Sequence, residues 1–104
     1  MERYTLDFNL PVHIFFIGIG GISMSGLAKV LADRGFHVSG SDNHETELTK
    51  MLEQHGAKVF YGGQKKENIT DDIDVVVYTA AIHPDNPEYV ASVEKKIPMM
   101  TRAE

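Results

Sequence analysis

Apolar residues fall into two patterns along this chain. Short strand-like segments occur at 13–18, 36–40, 58–61, 74–78 and 98–101, the first of them apolar without polar alternation. Runs of this length, rich in β-branched and aromatic residues, predict strands of the kind found in a parallel sheet. Between them the period changes. Leu27, Val30 and Leu31 recur at helical spacing, as do Leu48, Met51 and Leu52, and then Val90, Val93 and Ile97. Each triplet predicts a helix with those residues turned toward the sheet.

Punctuation supports the same division. Pro11 cannot donate to a sheet ladder and marks the start of the first strand. The first helix follows at 27–32, with Lys29 and Asp33 four apart on its outer face, and Gly35 supplies a left-handed end. The second helix spans roughly 45–55 and stops at Gly56. Gly62 and Gly63 turn the chain into a polar stretch at 64–72, with one helical turn expected at 67–69. Asn86, Pro87 and Glu88 form a helix start: a capping side chain, proline at the first helical position and an acid in the first turn. Residues 1–11 read as a polar arm attached to a single domain over 1–104.

Strands alternating with helical segments predict an α/β fold, a doubly wound, Rossmann-like parallel sheet of five strands in the order 3-2-1-4-5. Such sheets bind ligands beyond the carboxyl ends of their strands, where the strand order reverses. Here that crevice lies between the first and fourth strands.

One loop at that crevice is unusual. The first strand runs into Gly18-Ile19-Gly20-Gly21-Ile22-Ser23-Met24-Ser25-Gly26 and then into the first helix. Strand, glycine-rich turn and helix are the context in which a dinucleotide-type fingerprint carries weight. Gly18 allows a tight turn, Gly20 and Gly21 allow close approach of a ligand, and the amides of Gly21, Ile22 and Ser23 face an anion at the helix start. No lysine or arginine lies inside the loop, so a phosphate would be held there by amides and the helix dipole, the latter contributing ~0.3–1 kcal/mol. Ser23 occupies the third glycine position of the plain pattern; Ser23 and Ser25 add hydroxyls at the same mouth. A tight turn with no ligand is the competing reading. Met24 suits core filling better than contact.

Asp42 closes the second strand, where the fingerprint expects an acid accepting from a ribose hydroxyl; the same residue could simply cap the turn. Ser41 and Asn43 flank it as ribose or base contacts, or as turn residues. Thr79, Ala80, Ala81 and Ile82 end the fourth strand and either line a diphosphate from the opposite side or pack closely there.

Composition narrows the function classes. The 104 residues are 42% hydrophobic and 24% charged, ordinary for a globular core, and a net charge of −5 argues against a nucleic-acid backbone as partner. There is no cysteine, which excludes disulfides and thiolate chemistry and fits a reducing cytoplasm. No apolar run approaches the ~18 residues of a membrane span. The histidines His13, His37, His44, His55 and His83 lack metal-ligand spacing, so no metal is expected; His83 alone falls near the crevice. No nucleophile elbow, paired carboxylates with assignable roles or P-loop is visible, so the residues support binding without chemistry by this chain alone.

The glycine loop taken with Val38-Ser39-Gly40-Ser41-Asp42, Val75-Val76-Val77-Tyr78-Thr79-Ala80-Ala81-Ile82 and Pro98-Met99-Met100-Thr101-Arg102-Ala103-Glu104 resembles the N-terminal domain of the Mur ligases, bacterial peptidoglycan enzymes. The resemblance runs from about His13 to the end. It implies a three-domain ligase of which this is the first, holding the UDP part of UDP-N-acetylmuramate. ATP and Mg²⁺ would then belong to a central domain, and the reaction would join L-alanine to the muramoyl carboxylate through an acyl phosphate. It further implies that residues 20–25 hold the diphosphate, that Ser41, Asp42 and Asn43 meet ribose or uracil, and that residues 79–82 close the other side. Ser23 stands where the family often has glycine, and Gln64 where histidine is common. Rival readings are a related ligase attaching a recycled tripeptide, a regulatory module for an NAD-type dinucleotide, and a structural domain whose loop is only a turn.

Overall fold

The sheet contains β1 (His13–Ile17), β2 (His37–Ser41), β3 (Lys58–Phe60), β4 (Val75–Thr79) and β5 (Met99–Arg102), all parallel, in the order β3-β2-β1-β4-β5. This is the predicted topology. The computed structural model describes residues 12–79 and 81–102; the polar arm expected over 1–11 lies outside the described residues, as do Ala80, Ala103 and Glu104.

Alternation along β1 divides the core. Ile14 and Phe16 join Val38, Val75 and Val77 on one face, and Phe15 and Ile17 join Val76 on the other. Fully burying one such side chain contributes ~1.5–3 kcal/mol. The first face is covered by α1 (Ile22–Asp33) and α2 (Glu47–Gln54), through Met24, Ala28, Leu31 and Leu52. The second is covered by α3 (Pro87–Glu94) and the segment around a 3₁₀ turn at Lys66–Asn68, through Ala91, Ile69 and Ile73.

Three helix faces differ from the predicted ones. In α1 the buried residues are Met24, Ser25, Ala28 and Leu31, while Val30 is exposed, because the helix starts earlier than predicted and its inward stripe is set from Met24. In α2, Thr49 is buried and Leu48 sits at the margin. Thr46 caps α2, its Oγ1 accepting from Thr49 N at 3.2 Å while Thr49 Oγ1 accepts from Thr46 N at 2.8 Å. That capping box fixes which side of the first turn faces inward. In α3, Val93 is 53% exposed and Val90 is also exposed; Glu88, Ala91 and Ser92 are buried instead. Asn86 caps α3 as predicted, accepting from Glu88 N at 2.9 Å and Tyr89 N at 3.3 Å.

Candidate functional site

The glycine loop links β1 to α1 at the carboxyl edge of the sheet. Gly18 has φ of +79°, a conformation that costs a residue with a Cβ, so the turn needs glycine. Gly21 N donates back to Gly18 O at 3.2 Å, and Ile19 N donates to Ser41 O at 2.8 Å, tying the loop to itself and to the end of β2. Gly20 N donates to Asp42 Oδ2 at 2.8 Å. A Cβ on Gly20 would meet that oxygen at 2.5 Å and Thr49 Cγ2 at 3.0 Å. Gly20 is therefore small so that Asp42 and α2 can close on the loop.

Helix α1 starts at Ile22 with Gly21 as its cap and no capping side chain. With the Gly20 and Gly21 amides already engaged, the donors for an anion shift to the first turn proper, at Ile22 and Met24, where helix geometry provides no partner four residues back. The Met24 side chain is buried in the core. Ile22 points outward, 86% exposed. The two serines part company: Ser25 is buried and its hydroxyl donates to Ile22 O at 3.1 Å, whereas Ser23 accepts from Arg102 Nε at 2.9 Å.

Arg102 is the residue that sequence reasoning missed at this mouth. It ends β5, in register with Thr79 at the end of β4, and so brings a guanidinium to a loop with no cation of its own. The available signal was a basic residue at the carboxyl end of the last strand in a sheet whose ligands gather at that edge. Thr79 is half-buried, Ala81 is exposed, and Ile82 packs against the second core cluster with its N–H donating to Thr79 O at 3.2 Å.

Beyond β2 the three candidates occupy different environments. Asp42 is half-buried; its N–H donates to Phe60 O at 3.0 Å and its Oδ1 lies 3.4 Å from His44 N, so it does cap the turn, and it also locks Gly20. Asn43 is exposed. Ser41 is buried, and its hydroxyl is committed to Glu88 Oε1 at 2.6 Å. Its side chain therefore supports the site from beneath rather than facing outward.

From the sequence Glu88 is an acid in the first turn of a helix. It is 0% exposed. Oε1 accepts from Ser41, and Oε2 accepts from Lys65 N at 3.2 Å and Asn68 Nδ2 at 2.8 Å. Burial raises its pKa above the ordinary carboxylate range, against the three donors, which act to lower it. One carboxylate thus joins the end of β2, the segment after β3 and the start of α3. His83 is exposed, and its carbonyl accepts from Asn86 N at 3.0 Å.

The loop, Asp42, Thr79 and Arg102 thus gather at the switch-point edge of the sheet. Comparison with known proteins shows the family. The profile of the Mur ligase family, catalytic domain, matches residues 13–104. A UDP-N-acetylmuramate–L-alanine ligase of Lachnospira eligens is 62% identical over 101 residues, 97% of this chain and 22% of that protein. One of Agathobacter rectalis is 60% identical over the same length. The chain spans about a fifth of these curated relatives. Among solved structures, UDP-N-acetylmuramate-alanine ligase from Thermotoga maritima superposes with a TM-score of 0.79 at 37% identity, over 86% of this chain and 20% of that one. The UDP-N-acetylmuramate:L-alanyl-gamma-D-glutamyl-meso-diaminopimelate ligase from Neisseria meningitides gives 0.78 at 29% identity, over 88% and 29%. On sequence and fold together, the chain belongs to the Mur ligase family.

Proposed function

We propose that this chain is the nucleotide-sugar-binding part of a cytoplasmic, ATP-dependent ligase that joins L-alanine to the muramoyl carboxylate of UDP-N-acetylmuramate in peptidoglycan synthesis. The observation that carries the reading is the meeting of Ser23 with Arg102 across the start of α1. A diphosphate at that point faces first-turn amides, the positive end of α1 and a guanidinium, the combination that charged oxygens require. Asp42, held by the Gly20 amide, keeps lone pairs for a ribose hydroxyl. Asn43, next in the chain and exposed, is available for ribose or base. Thr79, Ala81 and Ile82 border the opposite side.

This chain's work is to bind and orient. Amides and Arg102 fix the diphosphate, which sets the direction in which the muramoyl carboxylate leaves the domain. The sequence has no Gly-x-x-x-x-Gly-Lys-Ser/Thr, so ATP and Mg²⁺ fall to parts of the longer relatives that this chain does not span, and phosphoryl transfer with them. The alanine-adding assignment is preferred to the tripeptide-adding one because the alanine ligases reach 60% and 62% identity while the tripeptide ligase structure stands at 29%. The NAD-module alternative is not favoured by the family match.

Calorimetric titration with UDP-N-acetylmuramate, UDP and NAD tests the proposal. Binding of the first two without NAD is the expected result. Binding of NAD alone would contradict it.

A further inference from the structure

A second cluster of polar side chains lies toward the amino ends of the strands, on the face that carries α3. His13 and His37 are register partners on β1 and β2. Their rings stack, with centroids 4.0 Å apart and planes 12° from parallel. Asp72, in the turn before β4, reaches the same place, its Oδ2 lying 3.3 Å from His13 Nδ1. One ligating atom from each of His13, His37 and Asp72 lies within 4.8 Å of the others.

The details within this cluster are those of an incomplete coordination shell. The His13 side chain is 11% exposed, and its Nδ1 is buried without a hydrogen bond. Nε2 is 2.6 Å from Ser39 Oγ. When Nε2 donates there, Nδ1 turns a lone pair toward a carboxylate oxygen, and two electron-rich atoms at that separation call for a positive charge between them. A proton on Nδ1 would meet Asp72 Oδ2 only at 3.3 Å, a long approach for a charge-assisted bond. A metal ion at the apex of the triangle would satisfy both atoms and take in His37 as well. Thr70 Oγ1 donates to Asp72 Oδ1, leaving Oδ2 for the ion. The backbone of His13 is held from both sides, its N–H donating to Asp74 Oδ2 at 2.7 Å and its carbonyl accepting from Asp74 N at 2.8 Å.

We propose that His13, His37 and Asp72 form a binding site for a divalent transition-metal ion, with Zn²⁺ the best fit. Two imidazoles and a carboxylate suit this class of ion, and Zn²⁺ commonly takes three protein ligands with water in the fourth position. Tetrahedral bonds of ~2.0–2.1 Å place donors ~3.4 Å apart, which the His13–Asp72 pair already meets. His37 and Asp72 are exposed and can close the remaining distance. They open onto a groove of about 230 Å³, bordered by Phe60 and Asn68, which admits the ion and its water. The Ser39 contact orients the ring, the role outer partners of metal-bound histidines usually have. The ion would tie β1, β2 and the turn before β4 together, at the end of the sheet remote from the glycine loop.

The test is calorimetric titration of this chain with Zn²⁺ in excess Mg²⁺. One ion per chain is expected to bind. His37→Ala and Asp72→Asn should each weaken binding at least tenfold, and Ser39→Ala about tenfold. His55→Ala, which alters an exposed histidine paired with Asp33, should bind as the unaltered chain does. Thermal melts in EDTA should match between the chain and the two ligand variants, so that lost binding is not lost folding. Absence of Zn²⁺ binding, binding that survives His37→Ala, or binding that disappears in His55→Ala would overturn the proposal.

Discussion

Gly20 has no side chain because Asp42 occupies the space one would take. That contact turns two sequence candidates into one unit, and it makes their substitutions interdependent. Gly20→Ala should displace the carboxylate, break its bond to the Gly20 amide, and cost about 1–3 kcal/mol of stability through overpacking. In an Asp42→Ala background the same change should cost less, with a coupling of about 0.5–3 kcal/mol in a urea-denaturation cycle. Additive costs would show that the two do not act together. Arg102→Ala tests the other side of the mouth. The residue is exposed, so the fold should persist, while UDP-N-acetylmuramate binding falls by about 1.5–3 kcal/mol, the loss of a charge-assisted bond, when followed by calorimetry. The sequence revealed Asp42 because its signal is local, an acid closing the second strand. It concealed Arg102 because that residue meets Ser23 only once β5 is laid beside β4.

At the level of elements, helix type was legible and helix orientation was not. Asn86, Pro87 and Glu88 announced α3, yet the helix buries Glu88, Ala91 and Ser92 and exposes Val93. Hydrophobic spacing selects a face only when apolar side chains outweigh a polar alternative; here a carboxylate with three donors supplies that alternative. Val93→Thr should therefore change stability by less than about 0.5 kcal/mol, as exposed sites do. Leu52→Ala in α2, which opens a cavity in the first core cluster, should cost about 2–5 kcal/mol. Equal costs in thermal or chemical unfolding would contradict these faces. Glu88 also links α3 to pH. Its pKa is raised in the folded state by burial, so its contribution is fully present below the ordinary glutamate value of about 4.3 and is lost as pH rises through the raised value. Glu88→Gln removes that dependence. The stability difference between the chain and this variant should shrink as pH rises from the acid side toward neutrality in denaturation series at stepped pH. A difference constant with pH would show that Glu88 keeps an ordinary pKa.

For the whole molecule, the strand order was readable because short strand segments alternating with helices leave few arrangements of a parallel sheet. The same order brings residues from the glycine loop, β2, β4 and β5 to one edge and pairs His13 with His37 toward the other. The His13–His37 pairing escaped the spacing rules for metal ligands because those rules read neighbours along one turn or helix, whereas register between strands joins residues far apart in the sequence. The central claim is that the carboxyl edge is a nucleotide-sugar site. A two-dimensional NMR titration of the isotope-labelled chain with UDP-N-acetylmuramate tests it most directly, with NAD as the comparison. The account predicts shifts at Ile22, Ser23, Met24, Asp42, Thr79 and Arg102 with the muramate nucleotide and none with NAD. Shifts confined to other residues, or produced by NAD alone, would contradict it.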